Sequence, residues 1–591
     1  MGFRRYGAAV QRRRFLQLGA SVGVGAAVAS SPLAALARSR QPARSAATGG
    51  AYQTVGAFPA GVMSGDPTAD GVVLWTRVDP ALAGRGVDVT WEVAADPAFV
   101  AGSVVRSGRV RTDPATDHTV HVDVTGLGAA ATWWYRFTVA GTASPVGRTR
   151  SLPVGDVDRL RIAYFSCQRY VHGYYTAHAD LAALAADPAT DVDLVVCLGD
   201  YVYEAGPADD VTVTGRVDPE APTVSVEDYR RQYHLYRTDP DLQAVHAAFP
   251  FVGIFDNHDG FSDPSDGGGP GARAAFFEQM PVRRDPADPN RQHRSFALGA
   301  LAELFLLDER QYRDPTPPEG DNLLGTSSVD EPSMAAPGRT MLGAAQRTWL
   351  EDGLATSGAA WKIVGSQLMF APLRSERYAE VQATAGDGPQ RNAGRYVNLT
   401  QWDGYQAERR ELLDHLHRNG VADVLVIAGD THFWTASEVP LDWDDPESPY
   451  VLTEFGGSSI TSANAGEQGD LPGNDLIRPV VAGANPLHLR YIEVTTHGYG
   501  LIELTPSGAS VSYRSPLTII EPTSATKVLA RFEVERGVAR LRQVEGTGFL
   551  PRTEPAAPGE PSEPVGPVSP SSPGGAPSSA VPVRGAPSYT G

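Results

Sequence analysis

Four short apolar runs in this chain each end in polar residues able to hold metal ions. Ser166-Cys167-Gln168 follows Arg161–Phe165, and Gly199-Asp200-Tyr201-Val202-Tyr203-Glu204 follows the run beginning at Asp193. Asp256-Asn257-His258-Asp259 follows Phe251–Phe255, and Gly429-Asp430-Thr431-His432-Phe433-Trp434 follows Val424–Ala428. Asp200 and Asp430 offer hard carboxylate oxygens and Asn257 a carbonyl oxygen, ligands that suit calcium, magnesium or manganese. Cys167 offers a thiolate, Tyr203 a phenolate and His432 an imidazole nitrogen. Thiolate with phenolate suits a more strongly Lewis-acidic ion, with ferric iron the first choice. A carboxylate such as Asp200 can bridge two ions, and two metals ~3.5–4 Å apart clamp the attacking and leaving oxygens of an in-line displacement. The expected chemistry is attack on phosphorus by a metal-activated water. His258 is placed to bind the phosphate or to protonate the leaving alcohol, which makes it the candidate catalytic acid. Asp259 is the candidate to fix its tautomer.

These residues need elements that bring them together. In open α/β sheets, ligands gather beyond the carboxyl ends of the strands, so the four tips are expected to converge. Leu304–Leu307 and Trp361–Gly365 read as further buried strands. Helical stretches are expected at Ala177–Ala186, Glu227–Tyr236, Arg273–Gln279, Ala344–Leu354 and Tyr405–His417. Apolar strands with intervening helices argue an α/β catalytic domain over residues 158–520. Gly500–Leu504 and Ala509–Tyr513 are expected to close a second sheet. Residues 55–152 read instead as all-β. Gly71–Val78, Val87–Val93 and Thr132–Val139 are rich in β-branched and aromatic residues and are separated by turn signals, as in a small β-sandwich. Residues 553–591 are Pro, Ser, Gly and Ala with few large apolar side chains, a tail that cannot bury a core.

The whole chain has 591 residues, 42% hydrophobic and 20% charged, which fits two or three globular domains. Its net charge of −19 disfavours non-specific binding to nucleic acid or anionic membrane. Acidity does not exclude phosphate chemistry, because bound metal supplies local positive charge. Two cysteines, Cys167 and Cys197, exclude a disulfide-rich scaffold. Near the N-terminus, Arg12-Arg13 followed by Phe15-Leu16 and a moderately apolar run to Leu36 resembles a twin-arginine export signal. The run is too rich in Gly, Ala and Ser for a stable membrane span. Residues 1–37 are expected to be a leader that engages the twin-arginine translocation machinery. The mature protein is then expected in the cell wall, periplasm or medium, with no transmembrane anchor.

The strand-end clusters resemble the metallophosphoesterase motif series, with two departures. Ser166-Cys167-Gln168 replaces the usual opening Asp-x-His, and Asp430 stands where a late His is usual. Both departures are similar to the PhoD-type alkaline phosphatase/phosphodiesterase family, as are Leu307-Asp308-Glu309-Arg310-Gln311-Tyr312 and the segment Leu342–Leu350. The resemblance implies a metallophosphoesterase-type β-sheet sandwich flanked by helices, preceded by an immunoglobulin- or fibronectin-like β-domain. It implies iron at Cys167, Asp200 and Tyr203, and two calcium ions near Asp200, Asn257, Asp430 and His432, other divalent metals being alternatives. The activity implied is hydrolysis of small-molecule or polymer phosphate esters, mono- and diesters alike. A phospholipase D-like or cell-wall-polymer phosphodiesterase built on the same site is the alternative.

Plainer readings stand beside these. Cys197, inside an apolar run, reads as core, Tyr201 as structural, and Trp434 as packing at the rim. His172, His178, His234 and His246 read as surface or local contacts. Arg310 is weighed as a phosphate contact against a structural ion pair. A non-catalytic surface protein would have no use for this set of ligands at successive strand tips.

Overall fold

The computed structural model describes residues 56–204, 215–218, 223–261, 269–317, 332–377, 392, 394–468 and 473–552. The expected leader and the tail from 553 lie outside the described residues.

The strand Leu194–Cys197 is apolar throughout and buried on both faces. It pairs in parallel with Leu160–Phe165 on one side and Pro250–Gly253 on the other. Because side chains alternate along a strand, Leu194 and Val196 point into one core while Val195 and Cys197 point into another. A second set of parallel strands, Ala302–Leu306, Trp361–Ser366, Val424–Ala428 and Tyr450–Gly456, forms the middle of a seven-stranded sheet. The two sheets pack face to face through Ile162, Leu194, Val196 and Ile254 against Leu304, Ile363, Leu425, Ile427 and Phe455.

Helices cover the outer faces. Thr176–Ala183, Val226–Tyr236, Pro240–Ala248 and Pro270–Gln279 carry residues of the core that packs on Phe165, Val195 and Phe251. Gly343–Thr356 and Gln406–Arg418 place Leu350, Leu354, Leu412 and Leu416 against the second sheet. The result is a helix–sheet–sheet–helix sandwich, the α/β class expected. Local sequence fixes the helix starts. Ser225 and Asp228 form a reciprocal capping box at Val226–Tyr236, and Asp239 caps a helix whose first residue is Pro240. Among the described residues, no helix is long and apolar enough to cross a membrane.

Three expectations need correction. Gly500–Leu504 and Ala509–Tyr513 belong to strands that do not close a second sheet. Tyr499–Leu504 pairs antiparallel with Leu160–Phe165, and Gly508–Pro516 pairs next to it, extending the first sheet. That sheet continues past residue 520 through Thr526–Glu535 and Arg542–Gly546 to reach ten strands. The N-terminal region is all-β, but one of its two layers is the far edge of the same sheet. Val62–Gly65 pairs in parallel with Pro250–Gly253, followed outward by Val72–Arg77 and Thr119–Val124. The other layer is a separate five-stranded sheet built on Asp88–Ala94 and Thr132–Val139. Last, Trp434 is fully buried between the sheets, stacked on Tyr513 with ring centroids 4.5 Å apart, rather than at the rim.

Candidate metal centre

Every candidate ligand follows the carboxyl end of a parallel strand, and the strands come from both sheets. Cys167 follows Leu160–Phe165, Asp200 follows Leu194–Cys197, and Asp256 and Asn257 follow Pro250–Gly253. Asp308 and Arg310 follow Ala302–Leu306, and Asp430 and His432 follow Val424–Ala428. The chain leaves three of these strands abruptly. Cys167 (φ 60°), Asp200 (φ 51°), Asp430 (φ 65°) and His432 (φ 55°) all adopt left-handed backbone. Each such residue costs about 1–3 kcal/mol and persists only where its surroundings over-determine it. The inter-sheet core offsets this, since each fully buried Leu or Ile contributes ~1.5–3 kcal/mol. The tips are also tied to one another. Cys167 N–H donates to Gly199 O at 3.3 Å, Gln168 N–H to Asp200 O at 3.2 Å and Ser462 N–H to Cys167 O at 3.0 Å.

These ties produce two overlapping clusters. The Cys167 sulfur, an Asp200 oxygen and a His432 nitrogen all lie within 4.8 Å of one another, and so do carboxylate oxygens of Asp200, Asp256 and Asp430. Asp200 belongs to both. Tyr203 completes the first cluster: its hydroxyl donates to Asp200 Oδ2 at 2.8 Å and lies 3.4 Å from His432 Nε2. Asn257 borders the second, its Oδ1 accepting from Arg310 at 3.1 Å. All six sequence-derived ligands therefore meet at one place.

Burial sets the charge state of the cluster. Asp200, Asp256 and Asp430 are buried, and desolvation raises all three carboxyl pKa values, that of Asp256 to about 6. Burial, with the nearby Asp200 charge, pushes the Cys167 thiol and the Tyr203 phenol well above their ordinary values. Burial lowers His432 to about 4, so its ring is neutral. Its Nδ1 lies 2.8 Å from Ala463 O, which can only accept. Nδ1 therefore carries the proton, and the Nε2 lone pair faces Tyr203.

Arg310, expected as a phosphate contact or an ion pair, is 1% exposed. Its guanidinium pairs with Asp256 through Nε and with Asp430 through Nη2 at 3.1 Å. Arg310 inside the cluster and His258 at its margin face three buried carboxylates, which leaves the site short of positive charge. Among the described residues, Asp256 Oδ2 is buried without a hydrogen-bond partner. Orphaned carboxylate oxygen, thiol, phenol and a neutral imidazole, gathered in two clusters that share Asp200, form a donor set that fits bound metal cations.

His258 sits at the margin of the cluster, 22% exposed and stacked on Tyr203 with ring centroids 4.2 Å apart. Its orienting partner is Glu204, whose Oε2 lies 2.8 Å from Nδ1. Asp259, expected in that role, turns inward and accepts from the backbone N–H groups of Val202 at 3.0 Å and Asp256 at 2.8 Å. Burial alone would lower the His258 pKa. The Asp200 charge and the Glu204 bond outweigh it and raise the value to about 9. Sequence reasoning also missed Asp256 as a member of the cluster, although it stands beside Asn257. It missed Gln401, which donates to Asp430 Oδ2 from a distant loop with no local signal. Of the plainer readings, Cys197 is buried and free, so no Cys167–Cys197 bridge exists. His178 and His246 are fully buried local contacts, to Gln168 and Tyr201.

A two-sheet sandwich with candidate metal ligands at the tips of both sheets and a histidine at the margin is an architecture suited to a phosphoric ester hydrolase. Comparison with known proteins narrows the class. The family model described as PhoD-like phosphatase matches residues 162–513, and that of the PhoD-like phosphatase N-terminal domain matches residues 43–153. Alkaline phosphatase D of Bacillus subtilis (strain 168) is 34% identical over 516 residues, 83% of each chain. A solved structure described as "Structure of PhoD" superposes with a TM-score of 0.72 at 32% identity, covering 85% of this chain and 94% of that one. The chain belongs to the PhoD-like phosphatase family and is a phosphoric ester hydrolase.

Proposed function

We propose that this hydrolase is an exported, metal-dependent alkaline phosphatase acting on phosphate mono- and diesters. The observation that carries the reading is the pair of clusters sharing Asp200. The proposed iron ligands are Cys167, Asp200 and Tyr203. Asp200, Asn257, Asp430 and His432 are the proposed ligands of two calcium ions, with Asp256 as a further carboxylate in reach. Bound ions would supply Lewis acidity toward the ester and lower the pKa of water at the site.

The chain's own groups do the rest. The Tyr203 hydroxyl donates a hydrogen bond to Asp200 at 2.8 Å, and the phenol can lose that proton where a cation takes its place. Ala463 O keeps the His432 proton on Nδ1 and the Nε2 lone pair inward. Arg310 balances the charge of Asp256 and Asp430 and is the candidate phosphate contact. His258, with Nδ1 engaged by Glu204, presents Nε2 to the leaving oxygen and donates a proton to it. Burial of the ligands excludes bulk water and strengthens each electrostatic contact.

Export rests on Arg12-Arg13 and the apolar run after them, with the mature chain beginning near Arg38 and passing the twin-arginine machinery. Residues 55–152 and 158–520 are the proposed β-domain and catalytic domain. The description of the Bacillus subtilis relative as an alkaline phosphatase supports the monoesterase part of the reading. The test is metal stoichiometry on native protein purified without chelator, with turnover of a chromogenic phosphate ester before and after chelation. Full turnover by metal-free protein would end the proposal.

A further inference from the structure

A groove of about 730 Å³ lies apart from the metal cluster, between the helix Pro270–Gln279, the turn after it and the β-strand Thr119–Val124. Its size suits a small organic ligand. Its floor is apolar, with Phe277 and Val282 among the lining residues, and two arginines, Arg273 and Arg284, stand in its wall. In a chain with 69 acidic and 50 basic residues, arginines readily find carboxylates. These two do not. Among the described residues, Arg273 makes no side-chain hydrogen bond or ion pair, and its Nε is buried without a partner. The exposed Arg284 rests its guanidinium over the Phe277 ring at 4.3 Å to the centroid, and its Nε donates to the carbonyl of Pro289 at 3.2 Å. The carboxylate in the wall, Glu278, is held by Arg230 in two bonds of 2.7 Å. A half-buried guanidinium with no side-chain hydrogen bond or ion pair among the described residues is an unmet demand, and an anion is the acceptor that meets it best.

A hydrogen-bonded chain runs from the groove wall toward the candidate metal centre. The carbonyl of Asn290 in its wall accepts from Gln311 Nε2 at 3.0 Å, and the same nitrogen donates to Asp308 at 2.6 Å. Asp308 stands two residues before Arg310. The charge of Arg273 acts on both Asp308 and Tyr312.

We propose that this groove is an anion subsite, in which Arg273 and Arg284 bind a second phosphate or carboxylate carried by the substrate while its apolar body lies on Phe277 and Val282. The proposal rests on the hydrolase reading above and deepens it by naming a substrate class: esters with a distal anionic group. A free anion, such as product phosphate, shares the same chemistry and is the other source the test separates.

The test compares the metal-loaded full chain with Arg273→Gln, Arg284→Gln and Arg273→Lys on paired aryl phosphates, identical except for a distal carboxylate or phosphate. Wild type is expected to favour the doubly anionic ester. Arg273→Gln should lose about tenfold in kcat/KM on that ester, the scale of one charge-assisted bond, and leave the simple monoester within about twofold. Arg273→Lys should recover part of the loss, and added salt should erase the preference in wild type. Equal loss on both esters, or an unchanged preference in both Gln variants, overturns the subsite. Inorganic phosphate is the second arm: inhibition that Arg273→Gln relieves, without a substrate preference, assigns the site to free phosphate and overturns the substrate reading. Calorimetry with methylenebisphosphonate, lost in Arg273→Gln, reads the groove even if no ester is turned over. That keeps failure of the subsite distinct from failure of the hydrolase reading.

Discussion

The Nδ1 atom of His258 and the carboxylate of Glu204 lie 2.8 Å apart, although the two residues leave neighbouring strands and are 54 positions apart in the chain. Glu204 engages Nδ1, which leaves Nε2 as the ring nitrogen for the proposed proton donation to a leaving oxygen. Replacing His258 with Asn should slow alkyl phosphate esters by about 10²–10⁴. Nitrophenyl esters, whose leaving group needs no proton, should slow far less. Glu204→Gln should fall between, and loss of the carboxylate should move the alkaline limb of kcat to lower pH, because the Glu204 bond helps raise the His258 pKa. Equal slowing of good and poor leaving groups in His258→Asn would remove it as the proton donor.

Cys167 tests the metal assignment with little steric disturbance. Serine is close to cysteine in volume and keeps the hydroxyl of Ser166, 3.1 Å from the sulfur, within reach. Cys167→Ser should fold with an unchanged far-ultraviolet spectrum, yet lose iron by elemental analysis and most turnover. Retention of a full complement of iron would place that ion elsewhere.

The strand tips are legible in the sequence for a specific reason. Leu194–Cys197 and Val424–Ala428 are short apolar runs that give way within two residues to Gly-Asp, the pattern of a buried strand ending at a site. What stays hidden depends on contacts across the fold. Trp434–Pro440 contains Thr435, Ser437 and Glu438, yet the whole strand is buried, and Glu438 is matched by Arg490 from a separate strand. No local pattern announces such a partner. Whether Tyr499–Leu504 joins the first sheet or the second is likewise a matter of which edge is vacant. The choice of Glu204 over Asp259 follows from the turn at Asn257–Asp259, where Asp259 caps its own turn and is consumed.

Gly199 is the glycine on which the two clusters depend. Its φ is +111°, and a Cβ there would come within 2.4 Å of the Asp256 Cβ. Both strain and collision push the Asp200 and Asp256 tips apart. Gly199→Ala should cost about 2 kcal/mol or more and lower metal content together with Tm. Gly483→Ala is the control, since a Cβ there meets nothing within 4 Å on the helix Gly473–Ala484, and it should be neutral or stabilising. A Gly199→Ala protein with native Tm and full metal would show that the tips tolerate separation.

Glu454 makes a prediction about stability that does not involve the metal ligands. Its carboxylate is fully buried on the strand Tyr450–Gly456 and accepts from the backbone N–H groups of Phe370 at 2.6 Å and Ala371 at 2.8 Å. Burial raises its pKa from 4.5 to about 7, against the opposing pull of those two bonds. A carboxyl with a raised folded pKa lends its full stability below the unfolded value, and loses it as pH climbs through the folded one. From pH 4.5 to 8 the loss approaches about 3 kcal/mol. Glu454→Gln mimics the protonated form at every pH and has no such loss. The difference in unfolding free energy, variant minus wild type, should therefore move in the variant's favour between about pH 4.5 and pH 8. A difference that stays constant across that window would mean that Glu454 titrates in the folded protein as it does in the unfolded chain.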